Sequence, residues 1–526
     1  MADSYIKPDY REYGENSVEP LLLSSAGISP PESDMKLSLA ENRERGYACY
    51  SRGGEPLFTV SLIAFNRIEK TRYCVECLLK YTSEYDYDLI LIDNGSDDGT
   101  YELFQSVAHP RKRFIRVDKN IGMNFPMQAA NLFGNFRGQF FVSLANDVYL
   151  TKNWLSSIAR CIETDKTIGL ILPRSTNTSN YQTVNIQYSS WDDFQQKAAD
   201  FNKTNPSLWE ERMRLVTPFT IFTRRFFDLV GSFDYGYFHD FAEDDLSIRC
   251  RRAGLKNILC GDTIVAHDDN TTVQTQARLD SLEYGRAAYK KKWGVDAWDD
   301  IINYEFSTLG FIENASFPED RAIDVLSVDC RCGTPVLEIR NILRRRGITD
   351  VKSYAFTTKA KYYTDLLTTG ADVVADRIEF LEEFYKPKSL DIIFLGEVVN
   401  QYKNPVKLLT RLHKFLRPGG VLLWKLRNFD NLQALFAKNG YALDLGETID
   451  AYSAAAIPFA DFIETINKTL RKPDITIGTE KFSLGSEELL TQIRDVLHKI
   501  DDKADDELLK KLLVKEYCFG LIKEKG

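Results

Sequence analysis

The sequence predicts two α/β domains in one chain, and three observations predict them. Between Phe58 and Leu144, short apolar runs alternate with helical stretches. The same alternation starts again near Asp324. The chain has 526 residues, more than one ordinary hydrophobic core accommodates. Apolar residues make up 44% and charged residues 27%, the balance of a globular protein. A net charge of −9 argues against a nucleic-acid partner bound by phosphate neutralisation. Met1 to Asn16 is polar, without the apolar core of a signal peptide, and no apolar run nears the ~18 residues of a membrane span. A cytoplasmic protein without a transmembrane segment is therefore expected. Nine cysteines include two close pairs, Cys74-x-x-Cys77 and Cys330-x-Cys332. They read as reduced cysteines, with a shared zinc site as the alternative.

Taken in order, residues 1–55 are rich in Ser, Pro, Glu and Gly and form an extension. A strand is predicted over Phe58–Phe65, a helix over Glu69–Tyr81 and a buried strand over Asp88–Ile92. A third strand follows at Arg113–Val117, then a helix to about Arg137 and a fourth strand at Gln139–Leu144. Such alternation implies a parallel sheet covered on both faces, whose ligands bind beyond the carboxyl ends of the strands. This first domain is expected over 56–315 and a second over 320–445. Strands of the second are predicted at Val325–Val328, Asp391–Leu395 and Val421–Lys425, with a helix over Pro405–Leu416. Residues 446–526 are expected to be mostly helical.

Candidate functional residues follow the first, second and fourth strands. Asp93 ends a buried strand, where a carboxylate can accept from a base N–H or a ribose hydroxyl, and Gly95 permits a sharp turn toward a ligand. Alone, Asp93-Asn94-Gly95-Ser96 also reads as a plain β-turn. Asp147 in Ala145-Asn146-Asp147-Val148 is suited to holding Mg²⁺ or Mn²⁺ against a pyrophosphate. His267 is a further ligand candidate, better matched to Mn²⁺. Glu243-Asp244-Asp245 opens an amphipathic helix; the acids either complement its dipole or include a general base for an acceptor hydroxyl.

Five elements then fall in one order. They are Ser61–Arg67, Leu91–Thr100, Asn120-Ile121-Gly122, Leu144–Asp147, and Val230–Asp234 with Glu243–Leu246, Arg249, Arg252-Ala253-Gly254 and His267. The set resembles the inverting glycosyltransferases of family 2, which have the GT-A fold. The resemblance implies a hexosyl transfer from a UDP-sugar, or a dTDP-sugar, to a hydroxyl on a protein or glycan acceptor. It implies a nucleotide pocket of Phe65, Asn66, Arg67, Asp93, Gly95, Ser96, Gly122 and Asn146, and a divalent cation on Asp147 and His267. Ala145 replaces the first acid of the family's aspartate-any-aspartate motif. Counting back from Leu246 puts Glu243 in the base position, whereas the Glu-Asp pair points to Asp244.

The second domain resembles class I S-adenosylmethionine-dependent methyltransferases through Val325–Gly333, Leu390–Val399 and Leu416–Val421. Asp329 and Arg331 stand where that family has glycines, and no acid follows the second strand near Tyr354–Thr357. S-adenosylmethionine is therefore not expected as a cofactor, and the domain is expected to be inactive in methyl transfer. The alternatives are a bifunctional glycosyltransferase/methyltransferase and an inactive nucleotide-sugar-binding scaffold.

Overall fold

The computed structural model describes Leu23–Ser25 and residues 58–117, 120, 139–216, 219–230, 234, 237, 240–269, 276–443, 457–471, 473–482, 484 and 486–524. The chain divides into two compact units, Met1–Ile302 and Asn303–Gly526. Among the described residues no helix is long and apolar enough to cross a membrane.

The first unit is built on one sheet. Its strands are β1 (Leu23–Ser25), β2 (Phe58–Ala64), β3 (Tyr87–Asp93), β4 (Lys112–Val117), β5 (Phe140–Ala145), β6 (Val148–Tyr149), β7 (Ile168–Ser175), β8 (Trp209–Arg212), β9 (Phe219–Thr223) and β10 (Lys256–His267). They lie in the order β1-β4-β3-β2-β5-β9-β7-β10-β6, with β8 paired to β10. Strands β4, β3, β2 and β5 are parallel, as the alternation predicts. Strand β9 then runs antiparallel to both β5 and β7, so the sheet is mixed. Because β10 is parallel to β7, its end at His267 returns to the edge where β2, β3 and β5 finish. That return carries His267 to the residues after the early strands.

Strands β2 and β3 are buried at every position, Thr59, Ser61, Asp88 and Asp93 included, as expected of central strands with both faces covered. Helix Ile68–Thr82 lays Cys74, Val75, Cys77 and Leu78 on this sheet. Its amino end is capped from elsewhere: Asp98 Oδ2 accepts from the Ile68 N–H at 2.8 Å, and the carboxylate also suits the helix dipole. Burial would raise the Asp98 carboxyl, but hydrogen bonds from Thr100 and Ile68 outweigh it and hold it below its ordinary value.

Among the described residues the second unit holds a seven-stranded sheet. Its strands are β11 (Ile323–Val328), β12 (Val351–Thr357), β13 (Asp372–Ala375), β14 (Leu390–Leu395), β15 (Leu416–Arg427), β16 (Asp474–Lys481) and β17 (Val514–Ile522). The order is β13-β12-β11-β14-β15-β17-β16, and β17 is antiparallel to both its neighbours. It is a doubly wound sheet with one reversed strand near its edge. The carboxyl-terminal region contains helices Phe459–Thr469, Glu487–Ile500 and Asp506–Leu512, and also gives the sheet β16 and β17. Helices Glu487–Ile500 and Asp506–Leu512 pack Ile493, Leu497, Leu509 and Leu512 with Leu432 and Phe436 in a separate small core. The eight described cysteines are free and buried.

Candidate active site

At the carboxyl ends of β2 and β3, two turns lock together. Asn66 and Arg67 have φ of 53° and 63°, a left-handed conformation that costs about 1–2 kcal/mol for a side-chain-bearing residue and less for asparagine. Cross-links hold it in place. The Asn66 N–H donates to Ser96 Oγ at 2.9 Å, and Asn66 Oδ1 accepts from the Asp97 N–H at 3.0 Å. Asn146 Nδ2, beyond β5, donates to the Asn66 carbonyl at 2.9 Å and to Thr71 Oγ1 at 2.8 Å. Gly95 supplies the turn after β3 with φ of 85°. Phe65 leaves this frame 42% exposed, a large aromatic ring open to solvent at the end of a central strand.

Asp93 is wholly buried. Its Oδ1 accepts from the Ser96 N–H at 2.9 Å, and its Oδ2 pairs with Arg116 at 3.0 Å. Arg116 also donates to the Ser96 carbonyl and lies 4.5 Å from the Tyr101 ring centre. Sequence reasoning missed Arg116. Its signal was an arginine inside a strand that neighbours β3, and the register sets it opposite Asp93. Gly122 lies outside the described residues, as do the helix expected before Arg137 and nearly all of the amino-terminal extension.

Asp147 and His267 come together across the same edge. The short β6 pairs antiparallel with the end of β10, setting Val148 against His267, and Asp147 precedes Val148 directly. His267 Nε2 lies 3.8 Å from Asp147 Oδ1. His267 Nδ1 is 2.6 Å from the Asn177 carbonyl, an acceptor that requires the proton on Nδ1. The other ring nitrogen, Nε2, faces the Asp147 carboxylate oxygen. That arrangement suits a cation, and the backbone acceptor on the far nitrogen is the usual outer support of a metal-ligating histidine. Among the described residues no group of three or more His, Cys, Asp and Glu side chains gathers as a metal cluster. Arg67 donates to Asp147 Oδ2 at 3.0 Å. Lys70 reaches the Asp268 carboxylate at 3.3 Å, and Tyr149 Oη donates to the same group at 2.7 Å. Asp268 and Lys70 were also missed; an acid next to the histidine was the available signal.

The three helix-opening acids separate clearly. Asp244 is buried, with both oxygens on the Arg214 guanidinium. Asp245 is fully buried and accepts from Arg249 at 2.7 Å, Lys292 at 2.7 Å and Trp293 Nε1 at 2.9 Å. It ties helix Ala242–Arg252 to helix Gln276–Trp293, a larger role than complementing a dipole. Glu243 is half-buried, the most exposed of the three.

Residues 59–228 match the sequence pattern of glycosyl transferase family 2. The match covers this segment and no part of the second unit. Among curated proteins no relative matches the chain. Solved structures similar to the chain include a SAM-dependent methyltransferase from Archaeoglobus fulgidus, at 16% identity and a TM-score of 0.29, covering 45% of this chain and 99% of that one. The YcgJ protein from Bacillus subtilis is similar at 12% identity and a TM-score of 0.27, covering 42% of this chain and all of its own. The second unit, with its strand order and reversed β17, has a Rossmann-like doubly wound arrangement.

In that second unit the residues at the ends of β11, β12 and β14 satisfy one another. Asp329 and Arg331 have φ of 50° and 51°, the left-handed conformation that favours glycine. The buried Asp329 carboxylate accepts from Thr358 N–H at 2.7 Å, Thr358 Oγ1 at 2.9 Å and Tyr402 Oη at 2.7 Å. Burial pushes this carboxyl above its ordinary value. Glu397 pairs with Lys359 at 3.0 Å and Arg331 at 3.6 Å. Burial would raise it too, but those two cations outweigh burial and hold it low. Gly396 is essential to the closeness: a Cβ there would meet the Asp329 carbonyl at 2.6 Å.

Proposed function

We propose that the chain is an inverting, metal-dependent glycosyltransferase that moves a hexosyl group from a UDP-sugar to an acceptor hydroxyl on a protein or glycan. The catalytic domain, expected over 56–315, lies in the first compact unit, which ends at Ile302. The observation that carries the proposal is the facing pair of Asp147 Oδ1 and His267 Nε2, 3.8 Å apart, beside the Asp93 turn.

Phe65 stacks on the base, Asp93 and Asn66 orient the nucleoside, and the Ser96 turn lies along the ribose. Gly95 and Asn146 shape the same pocket. Asp147 and His267 would hold a divalent cation, Mn²⁺ or Mg²⁺, which would supply charge neutralisation for a diphosphate leaving group. Arg67 and Lys70 add fixed positive charge on that side. Glu243 is the general base: it takes the acceptor hydroxyl proton as that oxygen bonds to the anomeric carbon. The bond to the diphosphate breaks on the opposite face, inverting the centre. Asp244, neutralised by Arg214, positions the helix and so Glu243. Asp329 and Arg331, side chains in left-handed positions that favour glycine, support reading the second domain as a scaffold without S-adenosylmethionine.

The test incubates the full chain with a panel of nucleotide sugars and measures released nucleoside diphosphate. One UDP-sugar is expected to be hydrolysed slowly, with loss on chelation, recovery with Mn²⁺, and no turnover by Asp147→Ala. Release that survives both chelation and Asp147→Ala refutes the assigned centre.

A further inference from the structure

Beyond the metal pair, the same edge of the first unit carries a continuous set of aromatic rings. Tyr149 directly follows Val148, and its hydroxyl donates to Asp268 at 2.7 Å, next to His267. Its ring meets Trp191 edge-on, with centres 4.9 Å apart and planes at 87°. Trp191 in turn carries Tyr188 on its face, with centres 5.2 Å apart and planes at 28°. Phe194 supports Tyr188 from the side at 5.1 Å. Tyr149 is buried, whereas Tyr188 is 41% exposed. The series thus runs from the metal pair outward and ends in an open aromatic ring. A second path makes the same link, because Asn177, which holds His267 Nδ1, lies eleven residues before Tyr188 in one connection.

The exposed ring is also held rigidly. Ser189 donates through both N–H and Oγ to Asp193 Oδ2, at 2.9 and 3.2 Å. Ser190 caps helix Trp191–Phe201 by accepting from the Asp193 N–H. Lys197 Nζ binds the Gln187 carbonyl at 2.8 Å and Asp193 at 2.9 Å. The residues on both sides of Tyr188 are therefore fixed by side chains of one helix. A large apolar ring left open at such cost to its hydration suits a ligand with a flat apolar face and polar rim. A pyranose ring has that shape: its C–H bonds point to the faces and its hydroxyls to the edge. A peptide acceptor presents no comparable repeating face.

We infer that the Tyr188–Trp191 stack is the acceptor platform and that the acceptor is a carbohydrate whose pyranose ring lies on Tyr188. The inference rests on the proposed glycosyltransferase reading and names its acceptor class. Phe65 then serves the nucleotide end and Tyr188 the acceptor end, with Asp147 and His267 between them.

The experiment uses the full chain with methyl and 4-nitrophenyl hexopyranosides as probes, and serine- and threonine-containing peptides as the contrast. Saturation-transfer NMR reports binding without any donor, and nucleoside diphosphate release reports donor chemistry without any acceptor. At least one glycoside is expected to receive saturation through its ring protons and to accept sugar. Tyr188→Ala should raise its KM about tenfold and Tyr188→Phe should keep it near wild type, with donor Kd unchanged in both. Equal glycoside KM in wild type and Tyr188→Ala overturns the platform, as does transfer to peptides alone. Failure of the wild type to bind or hydrolyse any nucleotide sugar overturns the underlying reading instead, and the platform with it.

Discussion

Asp93→Ala perturbs a group that is both the proposed nucleoside contact and a structural tie. Its side chain is fully buried, while that of Arg116 is 31% exposed. Truncation removes the acceptor of the Ser96 N–H and leaves the guanidinium without its 3.0 Å partner. Breaking a buried ion pair costs about 3–5 kcal/mol, and orphaning a buried N–H costs about 1–3 kcal/mol. These overlap, and Arg116 recovers part of its hydration through its exposed side and keeps its place over Tyr101. The expected loss is about 2–3 kcal/mol, a fall in Tm of roughly 5–10 °C for a unit of this size. Urea unfolding of the full chain, followed by probes of the first unit, measures it, with calorimetric titration of the donor alongside. A cycle with Arg116→Ala should show coupling above about 1 kcal/mol. Loss of donor affinity with stability unchanged within about 0.5 kcal/mol would refute the structural role. It would return Asp93 to the simple ligand contact that the sequence suggests.

The remaining predictions concern the acids and the second domain. Glu243→Gln should lower turnover about 10²–10⁴-fold with donor Kd unchanged, as expected for a lost general base. Asp244→Asn should instead weaken the pairing with Arg214 and lower stability; near-normal turnover in Glu243→Gln removes it from the mechanism. Calorimetric titration of the full chain with S-adenosylmethionine should give no saturable heat, and micromolar binding would revive the bifunctional alternative. Tyr402→Phe should lower the stability of the second unit by about 1 kcal/mol, because a buried carboxylate loses one donor. No change in its unfolding midpoint would count against the Asp329 network.

Much of the fold was legible because its signals are local. Strands β2, β3 and β5 declare themselves as short apolar runs, and the turns after them as Asn, Asp and Gly. The rule that parallel strands finish on one edge then brings Asp93, Asn146 and Asp147 together before any coordinates are known. The residues Asp329 and Arg331 were also visible as side chains in glycine positions, and both take the left-handed conformation that their placement demands.

Tertiary structure alone decided the partners. Arg67 and Asp147 lie 80 residues apart, and Arg214 and Asp244 lie 30 apart, with no periodicity connecting either pair. The sequence left Glu243 and Asp244 equal as candidates, and no spacing in it announced the Arg214 guanidinium on Asp244. Strands β16 and β17 were hidden for a related reason. Strand β16 is an edge strand of mixed polarity, so alternation with solvent weakens its apolar signal, and β17 is recognised only by pairing with β15. Local chemistry specifies which residues can ionise, turn or stack. Which of them meet is set by the packing of strands distant in sequence, whose energy no single segment carries.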